Sequence, residues 1–264
     1  DPMRSGGWGN GSMMREGIAT LPGALVEAGY ATCLIGKMHL GGDRQFVGFQ
    51  HRPYGDLTGG TGHQWEPLHR RGGRALADRT ADVGVTEIPE SALQEAKVNQ
   101  ETAAWIREHE HARPDQPWMV LASYSRPHFP LTAPKRYIDR YPPEKVPEPK
   151  VGRTGDTADH PMTRGMVEGF QTERIDRETM LRARGAYFAC VDYLDEILGD
   201  LFAVLEREGL LDNTIIVYTS DHGELAGEHG LWWKNSWHEA AARVPLVSSL
   251  PEQRRGDLPA VRLR

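Results

Sequence analysis

An aspartate and a histidine stand side by side directly after an apolar run of the chain. Asp221 and His222 follow the segment 215–218, Ile-Ile-Val-Tyr, which predicts a buried strand, and Gly223 comes next. A carboxylate and an imidazole at the end of a strand can both bind one cation, and a glycine lets the backbone bend away. The pair predicts a metal-assisted hydrolase site, and its structural alternative is an ordinary strand-to-turn junction.

Lys37 and His39 come directly after a second predicted strand, at 31–35. Side chains two residues apart in an extended segment point the same way. This pair offers a fixed positive charge for an anionic substrate and an imidazole that can transfer protons near neutral pH. Its structural alternative is a solvated strand end.

Two further groups combine a basic side chain with a rigid or aromatic setting. His128 lies in the segment Arg-Pro-His-Phe-Pro, whose prolines hold its imidazole in a narrow range of directions. Lys234 follows Trp232 and Trp233, where its ammonium can be held over a buried anion. The alternatives are a merely structural loop for His128 and a cation–π contact at the surface for Lys234.

Helices and strands alternate along the chain, as the spacing of the apolar residues indicates. Each predicted helix leads into a predicted strand: a helix between Thr20 and Gly29 into 31–35, a helix over 91–110 into 117–122, and a long helix over 178–209 into 214–219. Strands that are apolar on both faces predict an α/β fold with a mostly parallel central sheet flanked by helices on both faces. Ligands bind such sheets beyond the carboxyl ends of the strands, which is where the candidate groups lie.

The composition is that of a soluble globular chain. Its 264 residues are 39% hydrophobic and 26% charged, and we predict a single domain over 1–264 with long loops at 41–90 and 141–170 over the site. The net charge of −6 gives no reason to expect nucleic acid or an anionic membrane as a partner. No apolar run approaches the roughly 20 residues that span a bilayer. Cys33 and Cys190 lie in apolar stretches, which does not suggest a disulfide framework.

The four groups, in this order and at these spacings, resemble the sulfatase family of the alkaline phosphatase superfamily. Residues 29–39 resemble one signature of the family, and residues 220–234 together with 243–246 resemble its metal-and-lysine region. The resemblance covers residues 15–249 and implies an alkaline-phosphatase/sulfatase-like fold. It also implies hydrolysis of a sulfate ester, of a small molecule or of a carbohydrate, with one divalent cation. Calcium is the usual ion of the family, and Mg²⁺, Mn²⁺ and Zn²⁺ are alternatives.

The resemblance implies a role for each candidate residue. Asp221 and His222 would bind the cation, although an imidazole is less usual around a hard ion such as calcium. Lys37 and Lys234 would hold the sulfate oxygens and balance the charge that develops as the ester bond breaks. His128, together with Lys234, would protonate the departing alcohol. The substrate-binding set is then Lys37, His128, Lys234 and Trp233.

The family makes its formylglycine nucleophile from a Cys or Ser in a Cys/Ser-x-Pro-x-Arg motif, and His39 would be the base on the hydroxyl of its hydrated form. Neither Cys33 nor Cys190 has that context. We therefore expect the motif and two further metal-binding aspartates to precede residue 1, and a smaller domain to follow residue 264. On this interpretation the chain is an internal fragment, truncated at both ends and inactive by itself.

The sequence leaves several points open. The start of the chain lacks the layout of a signal peptide, and the compartment stays open between the bacterial periplasm, secretion and the cytoplasm. The identity of the sulfate ester, the oligomeric state and the origin of the nucleophile from Cys or Ser are open as well.

Two other functions fit the same residues. One is a phosphatase or phosphonate monoester hydrolase of the same superfamily, in which an Asp–His pair binds zinc or manganese. The other is a non-catalytic domain that binds anionic sugars, because aromatic faces stack on sugars and basic side chains attract anions. The residues of that second alternative are Trp232, Trp233, Trp237, Arg70, Arg71 and Arg74.

Overall fold

The computed structural model describes residues 2–7, 9, 12–55, 77–152 and 160–254. The chain forms two compact units, the first from residues 1–65 and 88–126 and the second from residues 66–87 and 127–264. The single domain expected over 1–264 stays a prediction. Arg70, Arg71 and Arg74 lie outside the described residues, as do parts of both predicted loops.

The helices and strands are numbered in chain order. The strands are β1 Ala31–Gly36, β2 His51–Gly55, β3 Gly84–Val85, β4 Trp118–Ser123, β5 Thr132–Ala133, β6 Ile216–Thr219 and β7 Leu246–Ser249. The helices are α1 Pro2–Ser5, α2 Leu21–Glu27, α3 Asp78–Ala81, α4 Gln94–Ala112, α5 Lys135–Ile138, α6 Pro161–Phe170, α7 Arg177–Arg207, α8 Glu239–Ala242 and α9 Pro251–Arg254. The two predicted loops therefore contain β2, α3, β3 and α6. None of the described helices is long and apolar enough to cross a membrane.

The first unit is built on a parallel three-stranded sheet in the order β2-β1-β4. Strand β1 is buried along its whole length, because it has a neighbour on each side and its Cys33 packs with Val98 of α4. Helix α2 begins where the sequence predicts, since the Thr20 side chain accepts a hydrogen bond from the Gly23 N–H at 3.2 Å. The predicted order of helix then strand is confirmed for α2 and β1 and for α4 and β4.

Helix α7 is the longest element of the second unit, with 31 residues. Asp176 caps its start by accepting the Thr179 N–H at 2.7 Å, and a stripe of buried residues runs from Leu181 to Leu205. The predicted single long helix is confirmed. One buried hydrophobic cluster connects α7 to the segments that carry candidate site residues, and its members are Leu131, Ala183, Ala186, Ala226, Trp232 and Trp233.

Strand β6 differs from the prediction. It pairs antiparallel with β7, which is its only neighbour among the described strands. Ile215 is 62% exposed and Val217 is 58% exposed. The prediction of a buried strand at 215–218 is therefore wrong. Side chains project from the faces of a sheet, and the described residues leave those of Ile215 and Val217 largely uncovered, unlike those of β1. The predicted α/β fold with parallel pairing is confirmed in the β2-β1-β4 and β3-β5 sheets.

Candidate active site

Asp221 and His222 lie in the loop that leaves β6, as predicted, and form a carboxylate–imidazole pair. Asp221 Oδ2 lies 3.5 Å from His222 Nε2, and Asp221 Oδ1 accepts the His222 backbone N–H at 3.1 Å. His222 Nδ1 lies 2.8 Å from the Gly223 carbonyl oxygen, which can only accept, so Nδ1 carries the proton. This tautomer leaves the lone pair on Nε2, the nitrogen nearer the carboxylate. The carboxylate and the imidazole can therefore bind the same cation.

Gly223 allows this loop to approach helix α8 closely. Its N–H donates to the Ala241 carbonyl at 2.8 Å. A Cβ at this position would lie 2.0 Å from the Ala240 carbonyl oxygen, so no other residue fits without a shift of the backbone. The sequence predicts that the backbone bends at Gly223. The close contact with α8 holds this bend and thereby the position of Asp221 and His222.

Lys234 and His128 are in direct contact. Lys234 Nζ lies 2.6 Å from His128 Nε2. His128 Nδ1 lies 2.9 Å from the Phe129 carbonyl oxygen and must donate to it, which leaves Nε2 to accept from the Lys234 ammonium. Burial lowers the pKa of Lys234, while the charges of Asp221 and Glu224 act in the opposite direction.

The second unit brings four of the candidate side chains together. The rings of His128 and His222 are 6.0 Å apart between centroids and lie edge to face. Through that contact, the Lys234–His128 pair adjoins the Asp221–His222 pair. Lys37 and His39 belong to the first unit, and their place in the same site stays a prediction.

Lys37 directly follows β1, and its backbone is fixed against β4. Gly36 has φ 103°, and a Cβ there would lie 1.9 Å from the Ser123 carbonyl oxygen, so glycine is required between the two strands. The Lys37 N–H donates to that carbonyl at 3.1 Å, and the Ser123 hydroxyl donates to the Lys37 carbonyl. His39, two residues on, has a left-handed backbone with φ 54°.

The Trp233 side chain is a packing group. It is 6% exposed, and its ring lies edge to face with Phe170 at 5.3 Å between centroids. The contact with substrate that the resemblance implies for Trp233 stays a prediction. The Trp233 backbone is left-handed, with φ 66°.

Glu224 is a residue of this region to which the sequence gave no role. Its Oε1 accepts the Trp233 N–H at 2.6 Å and the Ala226 N–H at 3.0 Å. Burial raises the pKa of this carboxyl, while the N–H donors and Lys234 act to lower it. The only signal in the sequence is an acidic residue directly after Asp-His-Gly, which does not reveal a bond to a residue nine positions away.

The donor set that the described residues offer to a metal is small. Among them, no group of three or more His, Cys, Asp or Glu side chains is arranged to hold an ion. Asp221 and His222 supply one carboxylate and one imidazole, which fit part of the shell of a divalent cation. Cys33 and Cys190 are buried thiols, and burial raises the pKa of Cys33 to about 12, which disfavours a thiolate nucleophile there.

The fold matches solved structures over nearly the whole chain. The phosphonate monoester hydrolase SpPMH from Silicibacter pomeroyi matches with a TM-score of 0.76 at 23% identity, over 95% of this chain and 56% of that one. The structure of BT4656 in complex with its substrate D-glucosamine-2-N,6-O-disulfate matches with a TM-score of 0.62 at 21% identity, over 95% of this chain and 59% of that one. The chain therefore shares the alkaline-phosphatase-like α/β fold of these two structures.

The sequence comparisons narrow the class. The family model described as Sulfatase matches residues 3–259, and the chain belongs to the sulfatase family. The choline-sulfatase of Rhizobium meliloti (strain 1021) is 33% identical over 262 residues, which are 95% of this chain and 51% of the relative. The iduronate 2-sulfatase of Mus musculus is 28% identical over 261 residues, 92% of this chain and 47% of the relative. The chain spans about half the length of these two relatives.

Proposed function

We propose that the complete protein hydrolyses a sulfate ester and that four side chains of the second unit bind and activate that ester, namely those of His128, Asp221, His222 and Lys234. The observation that carries the proposal is the 2.6 Å contact between Lys234 Nζ and His128 Nε2, because it places a fixed positive charge beside a proton carrier. Membership of the sulfatase family supports sulfate-ester hydrolysis in general.

Asp221 and His222 are the proposed holders of a divalent cation. Bound there, the cation would withdraw electron density from the sulfate oxygens. The carboxylate suits a hard ion, so Ca²⁺ is our first choice, and the imidazole nitrogen keeps Mg²⁺, Mn²⁺ and Zn²⁺ as alternatives.

The Lys234–His128 pair can supply the proton that the leaving alcohol requires. The departing alcohol needs a proton as its bond to sulfur breaks. The pair holds a proton between Nζ and Nε2, and burial lowers the pKa of Lys234, which makes that proton easier to give up than the proton of a solvated lysine. The ammonium also balances negative charge on the sulfate oxygens.

We also propose roles for two residues of the first unit, Lys37 and His39. Lys37 is the proposed second cation on the sulfate, and His39 is the proposed base. The proposed nucleophile is a formylglycine. It is made from the Cys or Ser of a Cys/Ser-x-Pro-x-Arg motif, and the 264 residues contain no such motif.

The proposed substrate is a small organic sulfate ester, with a sulfated carbohydrate as the first candidate. The name of the mouse relative, iduronate 2-sulfatase, supports a carbohydrate, and the name of the bacterial relative, choline-sulfatase, supports a small alcohol. The alternative of a non-catalytic sugar-binding domain loses support. Trp232 and Trp233 are 2% and 6% exposed and cannot stack on a sugar, while Trp237 is 76% exposed.

Turnover by the full-length protein on matched sulfate and phosphonate esters tests the proposal, with and without Ca²⁺. We expect faster hydrolysis of the sulfate ester, loss of activity with a chelator, and a fall of about 10²–10³-fold in kcat for Lys234→Ala. Faster hydrolysis of the phosphonate ester would favour a phosphonate monoester hydrolase. Binding of an anionic sugar without turnover of any ester would favour the binding domain.

A further inference from the structure

The segment 224–234 forms a closed loop that begins beside His222 and ends at Lys234. Two backbone hydrogen bonds connect its sides, from the Leu225 N–H to the Trp233 carbonyl at 2.8 Å and from the Gly227 N–H to the Leu231 carbonyl at 2.9 Å. These two bonds therefore fix the position of the backbone at the end of the loop, next to Lys234.

Three residues of this loop have left-handed backbones although they carry a Cβ: His229, with φ 57°, and the two buried residues Ala226 and Trp233. Ala226 has φ 45° and Trp233 has φ 66°. This region is unfavourable for residues such as alanine and tryptophan, so bonds from the surroundings must hold it. Ala226 and Trp233 both pack in the buried cluster of the second unit, which restrains their side chains.

One carboxylate oxygen holds the amides of both residues. Glu224 Oε1 accepts the Ala226 N–H at 3.0 Å and the Trp233 N–H at 2.6 Å. The second of these bonds acts on the residue directly before Lys234. Rotation of the Trp233 backbone out of its left-handed conformation would break that bond and redirect the side chain that follows.

We propose that Glu224 is a positioning residue for Lys234. Its carboxylate oxygen holds Trp233 in the left-handed conformation that directs the Lys234 ammonium to His128 Nε2, 2.6 Å away. The consequence for turnover rests on the proposed function. The placement of Lys234 itself does not depend on that function.

Two variants of Glu224 distinguish the effect of its side-chain length from the effect of its charge. Glu224→Asp keeps the charge and shortens the side chain by one methylene, so it loses contact with the Trp233 N–H. Glu224→Gln loses the charge and keeps both the length and an acceptor oxygen. If positioning is the role of Glu224, the aspartate variant is the damaged one; if charge is its role, the glutamine variant is.

Glu228 provides the matched control in the same loop. Its carboxylate also accepts two backbone N–H groups, from Lys150 at 3.1 Å and from Val151 at 2.9 Å, and it accepts a further bond from Arg184 at 3.2 Å. Arg184 in turn donates to the Ala226 carbonyl at 2.7 Å, but neither residue bonds Trp233 among the described contacts. Glu228→Asp therefore removes comparable support from the fold without acting on the residue before Lys234.

The experiment measures kcat and KM of the full-length variants on a sulfate ester. A displacement of about 1 Å in a reacting group can cost about 100-fold, so we expect kcat/KM of Glu224→Asp to fall by about that factor. Glu224→Gln should stay within about fivefold of wild type and Glu228→Asp within about threefold, because both leave the Trp233 N–H paired. Equal losses in Glu224→Asp and Glu228→Asp, or a larger loss in Glu224→Gln, would overturn the proposal.

A second readout works whether or not the protein is a sulfatase. Competitive labelling of amines at a series of pH values, read by mass spectrometry against the exposed Lys150, gives the pKa of Lys234 in each variant. Positioning predicts that this pKa rises toward 10.5 in Glu224→Asp, because the ammonium becomes solvated, and stays low in Glu224→Gln. An unchanged pKa in Glu224→Asp would refute the positioning role, while absence of turnover in the wild type would refute only the proposed function.

Discussion

Replacement of Gly223 by alanine should displace the loop that carries Asp221 and His222. The new Cβ would lie 2.0 Å from the Ala240 carbonyl oxygen and 3.0 Å from the Arg243 carbonyl oxygen, and both are backbone atoms. Ordinary van der Waals contact begins near 3.4 Å, so the loop or α8 must move by roughly 1 Å or more. Overpacking of this kind costs about 1–3 kcal/mol.

Two measurements on the full-length protein follow this change. Urea denaturation should show a fall of about 1–3 kcal/mol in the free energy of unfolding. Calorimetric titration with Ca²⁺ should show an affinity about 10–100-fold weaker, because the groups that orient the ligands move with the loop. Gly199→Ala is the control: nothing lies within 4 Å of a Cβ there, and alanine in the interior of α7 should stabilise by up to about 1 kcal/mol. Wild-type stability and Ca²⁺ affinity in Gly223→Ala would refute the close approach to α8.

Three further predictions concern charges. Arg126→Leu should lower the free energy of unfolding by about 3–5 kcal/mol in urea denaturation, because it leaves the carboxylate of Glu95, which is 0% exposed, without its cation. The double variant Glu95→Gln/Arg126→Leu should recover part of this loss. Wild-type stability of Arg126→Leu would contradict the prediction. Asp221→Asn should weaken Ca²⁺ binding by at least about tenfold in calorimetry, and undiminished affinity would exclude Asp221 as a ligand. The lowered pKa of Lys234 means that the folded state binds fewer protons than the unfolded state between that pKa and 10.5, so stability contributed by this group rises with pH across the window. Lys234→Met should flatten that rise in denaturation curves at a series of pH values, and an unchanged slope would argue against the buried position of the ammonium.

The sequence predicted elements whose signals are local. Thr20 as a helix cap, the long amphipathic helix α7 and the position of Asp221 and His222 after β6 all depend on spacing within one segment, and each is confirmed. The sequence did not predict the exposure of Val217, because an apolar run has the same pattern whether or not other elements cover the faces of its sheet.

Contacts between distant segments were also beyond prediction. The bond from Lys234 to His128 joins residues 106 positions apart, and the bond from the Trp233 N–H to Glu224 depends on left-handed backbones that no propensity favours. The burial of Trp233 has the same origin, because the position of a tryptophan in a core or at a surface is decided by the folded packing. The residue types of the site were therefore predictable, and its hydrogen bonds were not.

The most direct test of the account is a crystal structure of the full-length protein with Ca²⁺ and sulfate. We predict the cation at about 2.3–2.6 Å from the Asp221 carboxylate and from His222 Nε2. We also predict a sulfate oxygen within hydrogen-bonding distance of Lys234 Nζ, with Lys37 on the same anion. A cation bound away from Asp221 and His222, or a sulfate that Lys234 does not contact, would contradict the account.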